Sequence, residues 1–332
     1  MMTKPRFEAF AYRGVDLDGN AIDPDAVNQA VTARVRIYMP SVDGQELAVF
    51  STAPTRLKYP ETIVRATAFS DDNGRTDGAY FDAYLAEATG RVVMAVNTPG
   101  IDYYADTDVT KQLGQLTPEQ KEELRMVGSF RKVGEASMRA LNAAAVMYDI
   151  EDHPFIVTAS SMGVAVAGGM LREAFESDTK IAGIVMAEPV NHIRRPLGRL
   201  GKEFLGANKT AGGYVDVNPH PINQMEPGVR FVRRVVHGGE ANIAYARALG
   251  AGTLRRDLGE IDPMADLKMP TYLTRGTASR LSASKNGREF EELAEYLQPN
   301  DALAIDRFEG HDHPYTMTVQ SVIDGIENVT NA

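Results

Sequence analysis

The chain contains no cysteine. That absence excludes disulfides, thiolate metal sites and a cysteine nucleophile together. It leaves the compartment open, since a cysteine-free chain survives in either redox environment. A surplus of positive charge is also missing. Against 45 Asp and Glu stand 35 Lys and Arg, for a net charge of −10. A nucleic-acid partner calls for a basic face, and this balance argues against one. The local basic run Arg194, Arg195, Arg199 and Lys202 reads as a solvated helix face. No stretch reaches the ~18 apolar residues of a membrane span. The opening Met-Met-Thr-Lys-Pro-Arg-Phe-Glu has no apolar signal core, so the default expectation is a cytosolic protein.

What is present is a globular composition. The chain has 332 residues, 43% hydrophobic and 24% charged. This allows one large α/β domain with an insertion, or two ordinary domains. There is no internal repeat. Asp16-Leu-Asp18-Gly19-Asn20 resembles the start of a calcium loop, but the twelfth position is Val27 rather than Glu, so an Asp-Gly turn is the better reading.

Hydrophobic periodicity orders the rest. Residues 31–39 and 46–51, joined through Asp43-Gly44, predict a hairpin. Strands are expected at 62–69, 91–97, 155–159, 180–187, 271–274 and 303–308. Helices are expected up to about 89, from Thr117 to Ala145, and over 162–175, 284–297 and 315–329. Thr117, Pro118 and Gln120 form a capping-box pattern. Alternating strands and helices with buried Val/Ile runs predict an α/β fold: a mostly parallel sheet with helices on both faces. The alternation stops over 190–268, which reads as a helical insertion. The expected organisation is an N-terminal extension over 1–30, a core of 31–189 and 269–332, and a cap over 190–268.

The strongest chemical signal is Ala159-Ser160-Ser161-Met162-Gly163, between a strand and a helix. This is the setting of a nucleophile elbow, with Ala in place of the first Gly. Small neighbours let the strand and helix approach, and the serine is held at the tip of the sheet. A helix N-cap serine is the plain alternative. A serine needs a base. His311 follows Gly310 after the last strand, at the same sheet edge as Ser161, and is the expected base. His313 is the runner-up. His153 lies at the opposite edge, and His192, His220 and His237 lie in the insertion. His311 and His313, flanked by Glu309 and Asp312, also form a weak metal-binding pattern, but no third histidine is near, and no metal is expected.

These features in this order resemble the α/β-hydrolase fold, from residue 31 to the C-terminus outside the insertion. Thr67-Ala68-Phe69 falls at the family's oxyanion loop, and Asn97-Thr98-Pro99-Gly100 at its Asp-x-Pro-Gly. Ala159 to Gly163 matches its elbow, and Gly310-His311 its Gly-His. The insertion falls where the family carries a cap. The departure is the acid. Ser279 stands where the family usually has Asp, and no Asp or Glu occurs between Asp266 and Glu289. Glu188, directly after the strand ending at Ala187, can serve instead. A rim carboxylate at Glu188 and a weak orienting role for Ser279 remain the alternatives. The resemblance implies a serine hydrolase acting on an ester or related acyl bond of a small molecule, with no cofactor. Ser161 is then the nucleophile, His311 the base and Glu188 the acid, with oxyanion donors at Met162 and Phe69. Leu197, Leu200, Phe204 and Leu205, with Phe231, Val232, Val235 and Val236, line a pocket or simply pack the cap. The rival reading is a hydrolase fold kept for binding or assembly. The oligomeric state is not legible.

Overall fold

A computed structural model of the chain describes residues 7–66, 68, 76–100, 115–224, 239–259, 269–284, 286–299 and 301–332. Ten strands are described: β1 (Val35–Tyr38), β2 (Ser41–Val42), β3 (Gln45–Glu46), β4 (Val49–Thr52), β5 (Thr62–Ala66), β6 (Val92–Val96), β7 (Phe155–Ser160), β8 (Ile181–Ala187), β9 (Thr271–Gly276) and β10 (Leu303–Phe308). Eight of them form one sheet in the order β1-β4-β6-β5-β7-β8-β9-β10. The β1–β4 and β4–β6 pairs are antiparallel, and every other pair in this sheet is parallel. The predicted hairpin is therefore present. Its tip is the small β2–β3 ribbon, where Asp43 and Gly44 both take positive φ, as a tight two-residue turn requires. The expected strand start at Val31 is instead helical, and β1 begins only at Val35.

The central strands are apolar on both sides because both sides are covered. Ile63, Val93, Ile156, Val185 and Tyr272 face one cluster, and their neighbours Val64, Met94, Val157, Met186 and Leu273 face the other. Successive side chains point to opposite faces of a strand, so each run must be hydrophobic throughout. The helices α1 (Pro24–Gln29) and α2 (Thr76–Thr89) come early in the chain, followed by α3 (Pro118–Glu122), α4 (Arg131–Met147) and α5 (Met162–Glu176). Residues 190–259 supply α6 (Leu197–Asn208), α7 (Ala211–Val215), α8 (Gly239–Leu249) and α9 (Leu254–Gly259). The chain closes with α10 (Arg288–Leu297) and α11 (Val319–Thr330). No helix among the described residues is long and apolar enough to cross a membrane.

The single long helix expected from Thr117 is two. The capping box forms, with Thr117 and Gln120 exchanging side-chain and backbone bonds. The helix then stops at Gly128, whose φ is 76°. A side chain there would also run into Ala251, 2.2 Å from its first carbon. The Ser129 hydroxyl accepts the Arg131 N–H at 3.0 Å, and the chain restarts as α4. The Asp-Gly turn near residue 19 holds as read. Asp16 Oδ1 accepts the N–H groups of Asp18 and Asn20, and Lys58 reaches both carboxylates at 2.6 Å.

α4 and α5 approach closely, and this sets the helix that follows β7. A methyl group on Gly134 would lie 2.2 Å from the Val166 carbonyl oxygen, and one on Gly169 would lie 2.3 Å from that of Arg131. Backbone cannot yield as a flexible side chain can. Gly134→Ala and Gly169→Ala are each expected to destabilise by about 1–2 kcal/mol, the overpacking cost exceeding the ~1 kcal/mol that alanine gains in helix propensity. Gly201 in α6 meets nothing within 4 Å, so Gly201→Ala is expected to stabilise by a few tenths to 1 kcal/mol. Urea unfolding of the three variants checks both signs.

Candidate active site

The carboxyl ends of β7, β8 and β9 meet at one edge of the sheet, and the site is built there. Ser161 is the residue after β7 and the one before α5. Its φ is 55° and its ψ is −122°, a backbone that a side chain adopts only under strain, at a cost of about 1–3 kcal/mol. Its N–H donates to Ala187 O at 2.9 Å, which fastens the turn to the end of β8. The small residues around it serve this geometry, with Ala159 behind and Gly163 ahead, both buried. Glu188 is the residue after β8 and also takes positive φ, 54°. Its N–H donates to Thr274 O at 2.9 Å.

The structure corrects the histidine. Ser161 Oγ lies 2.9 Å from Nε2 of His313, not of His311. His313 Nδ1 lies 3.1 Å from Glu188 Oε2. His311 instead places Nδ1 3.1 Å from the Tyr214 hydroxyl, and Phe10 meets its ring edge-to-face. The cause is the path of the loop. The His311 carbonyl accepts the Ala278 N–H at 2.8 Å, docking that residue beside β9. Asp312 then caps a short 3₁₀ helix (His313–Met317), accepting the His313 N–H at 2.8 Å, with Pro314 in its first turn. His313 is the first residue of that helix and is carried over the sheet edge. The Asp312-His313-Pro314 run was the available signal, since Asp is a favoured N-cap and Pro favours the first turn.

The carboxylate is completely buried, with 0% of Glu188 exposed. Burial pushes its pKa up, but the hydrogen bonds from His313, the Ser282 hydroxyl and the Gly276 N–H outweigh it and hold the carboxyl below the ordinary glutamate range. Gly276 has to be glycine, because a side chain there would lie 2.3 Å from the His311 carbonyl oxygen. Ser282 was missed from the sequence, where it is one loop serine among several. Ser279, at the family's usual acid position, is bonded to Ser282 and reaches Glu188 only through it.

One proton follows from these contacts. An ionised carboxylate only accepts, so His313 carries its hydrogen on Nδ1 and offers the Nε2 lone pair to the Ser161 hydroxyl. The Tyr214 hydroxyl accepts the Asp312 N–H at 2.8 Å and pairs with His311 Nδ1. Burial lowers the pKa of His311. Of the other histidines, His153 bonds Thr62 at the far edge, and burial lowers His192 to about 4. His237 lies outside the described residues.

Met162 begins α5, so its N–H is one that no helical carbonyl can take. Phe69, expected to give the second oxyanion donor, lies outside the described residues, as do Phe231, Val232, Val235 and Val236. Leu200 is buried, Phe204 packs on the core, and Leu197 and Leu205 are exposed. Among the described residues no group of three His, Asp or Glu side chains is placed to hold a metal ion.

With this arrangement in hand, the order of strands and the strand-edge site define the fold. The chain has the α/β-hydrolase fold. A carboxyl esterase from Bacillus coagulans superposes with a TM-score of 0.55 at 12% identity, over 90% of this chain and 99% of that one. A bromoperoxidase from Bacillus anthracis gives 0.53 at 11%, over 90% and 100%. An epoxide hydrolase from Vigna radiata gives 0.53 at 11%, over 90% and 98%. No family model and no curated protein sequence matches the chain. At such identities the likeness is one of fold. The three neighbours carry different activities in their names, so chemistry has to be argued from the site.

The lowered Glu188 pKa has a consequence for folding. A carboxyl depressed in the folded state adds stability above its unfolded pKa, and that stability is lost as pH falls through the folded value. Denaturant unfolding from pH 7 to pH 3 is expected to show a steeper loss for the wild type than for Glu188→Gln, which has no carboxylate to protonate. Equal slopes would contradict the assignment of the depressed group.

Proposed function

We propose that the protein is a serine hydrolase that cleaves an ester or related acyl bond through an acyl-enzyme. The contact that carries this reading is His313 Nε2 at 2.9 Å from Ser161 Oγ, with Glu188 at 3.1 Å on the other ring nitrogen. A nucleophile, a base and an orienting carboxylate stand in the order that acyl transfer requires.

In this mechanism the Ser161 oxygen attacks the substrate carbonyl while its proton passes to His313 Nε2. The imidazolium so formed is stabilised by Glu188, which is held ionised by Ser282 and Gly276. The oxyanion takes the Met162 N–H, aimed by the start of α5. His313 then returns the proton to the leaving alcohol, and the acyl group stays on Ser161. Water attacks that ester with His313 again as base, and the acid is released. Residues 190–268 act as the cap over this edge. Tyr214 of α7 ties that segment to the histidine loop, and Tyr245 of α8 donates to Pro99 O at 2.7 Å. The binding-only reading is disfavoured, because a site released from chemistry has no reason to keep a buried carboxylate aligned with a strained serine.

Hydrolysis of p-nitrophenyl butyrate separates the two histidines. Ser161→Ala and His313→Ala are each expected to lower kcat/KM by at least about 10³-fold. His311→Ala, whose ring meets Tyr214 and Phe10, is expected to cost under about tenfold. Loss confined to His311→Ala would overturn the assignment of the base.

A further inference from the structure

The basic run at 194–202 is not one solvated face. Arg194, Arg199 and Lys202 are exposed, but Arg195 is buried, with 5% of its surface exposed. Taking a guanidinium out of water is costly unless its donors are met. Here they meet two kinds of partner. Nε faces Glu203 Oε2 of α6 at 3.1 Å. The terminal nitrogens donate to successive carbonyls, Nη2 to Arg280 O at 2.7 Å and Nη1 to Leu281 O. The backbone of Arg195 is fastened as well. Its N–H donates to Gly250 O at 2.8 Å, and a methyl group on Gly250 would lie 2.5 Å from the Arg195 carbonyl oxygen.

The carbonyls it grips lie next to the site. Residues 277–284 form neither strand nor helix, so no regular ladder of bonds fixes their path. Ser282 in this loop is completely buried and donates its hydroxyl to Glu188. The Leu281 carbonyl belongs to the same planar peptide as the Ser282 nitrogen. Holding that carbonyl sets the plane, and the plane aims the Ser282 side chain. We propose that Arg195 is a positioning residue: from the segment between β8 and β9 it fixes the Leu281–Ser282 peptide, so that the Ser282 hydroxyl stays on Glu188 and Glu188 stays on His313. The proposal rests on the hydrolase reading above. The planar fork matters as much as the charge. Two neighbouring carbonyls and a carboxylate are met at once by fixed N–H directions, which a lysine ammonium does not reproduce.

Arg195→Lys keeps the charge beside Glu203 and gives up the fork. With p-nitrophenyl butyrate, it and Ser282→Ala are each expected to lower kcat about tenfold, with KM within about twofold, since each loosens one bond to a charged group. Because Arg195 acts through Ser282, the double variant is expected to match the singles at about tenfold rather than multiply them to about a hundredfold. The low-field proton resonance of His313 Nδ1 is expected to shift by the same amount in all three, a change that a purely structural arginine would not produce. A wild-type kcat in Arg195→Lys, or losses that multiply, would overturn the proposal. If the wild type does not turn over the ester, the hydrolase reading fails by itself and the resonance decides. One common shift upholds the positioning, and an unmoved resonance or additive shifts overturn it. Should Arg195→Lys lose its cooperative melting, Arg195→Met/Glu203→Met takes its place in the cycle, since a buried ion pair is better removed whole than by halves.

Discussion

The structure turns on a carboxylate shut away from water. Glu188 is fully buried, and an unpaired buried charge would cost several kcal/mol. Three donors meet it: a backbone N–H from the end of β9, a hydroxyl from the loop beyond, and the His313 ring. Each comes from a different part of the chain. Their convergence requires that β8, β9 and the loop after β10 end at one level, which parallel pairing in register imposes. Once the charge is satisfied in this way, the histidine has one tautomer and one orientation, and Ser161 faces a lone pair rather than a proton.

Two residues at this edge hold a backbone that side chains avoid. Ser161 and Glu188 both take positive φ, and each follows a buried central strand directly. The strain is sustained by bonds across the sheet, from Ser161 N–H to the end of β8 and from Glu188 N–H to β9. Packing supports it from below. α5 is seated on α4 through Gly134 and Gly169, so the elbow cannot relax by lifting its helix. Ser161 and Glu188 are thus placed by the same device on adjacent strands.

Much of this was legible in the residues. The apolar run from Phe155, followed at once by small residues and a helical pattern, could only be a strand meeting a helix at a tight turn. Glu188 was readable because an acidic residue directly after a buried strand lands at the sheet edge. The histidine was misread by two positions. Gly310-His311 drew attention by its family likeness, while the decisive fact was a tertiary one: the His311 carbonyl docks on Ala278, and Asp312 starts the next helix. Ser282 carried no local mark, since its role depends on a loop folding back to β8. The break at Gly128 was hidden by apolar spacing that continues across it, and the close approach that demands glycine there comes from Ala251, a residue far along the chain.

The central claim is that His313 sits between Glu188 and Ser161 with its hydrogen on Nδ1. Proton NMR of the imidazole N–H region at low field tests it directly. The account predicts a strongly deshielded resonance, shifted well beyond the amide envelope, that is lost in His313→Asn and in Glu188→Gln and kept in His311→Asn. A resonance that vanishes with His311 and survives the loss of His313 would contradict it.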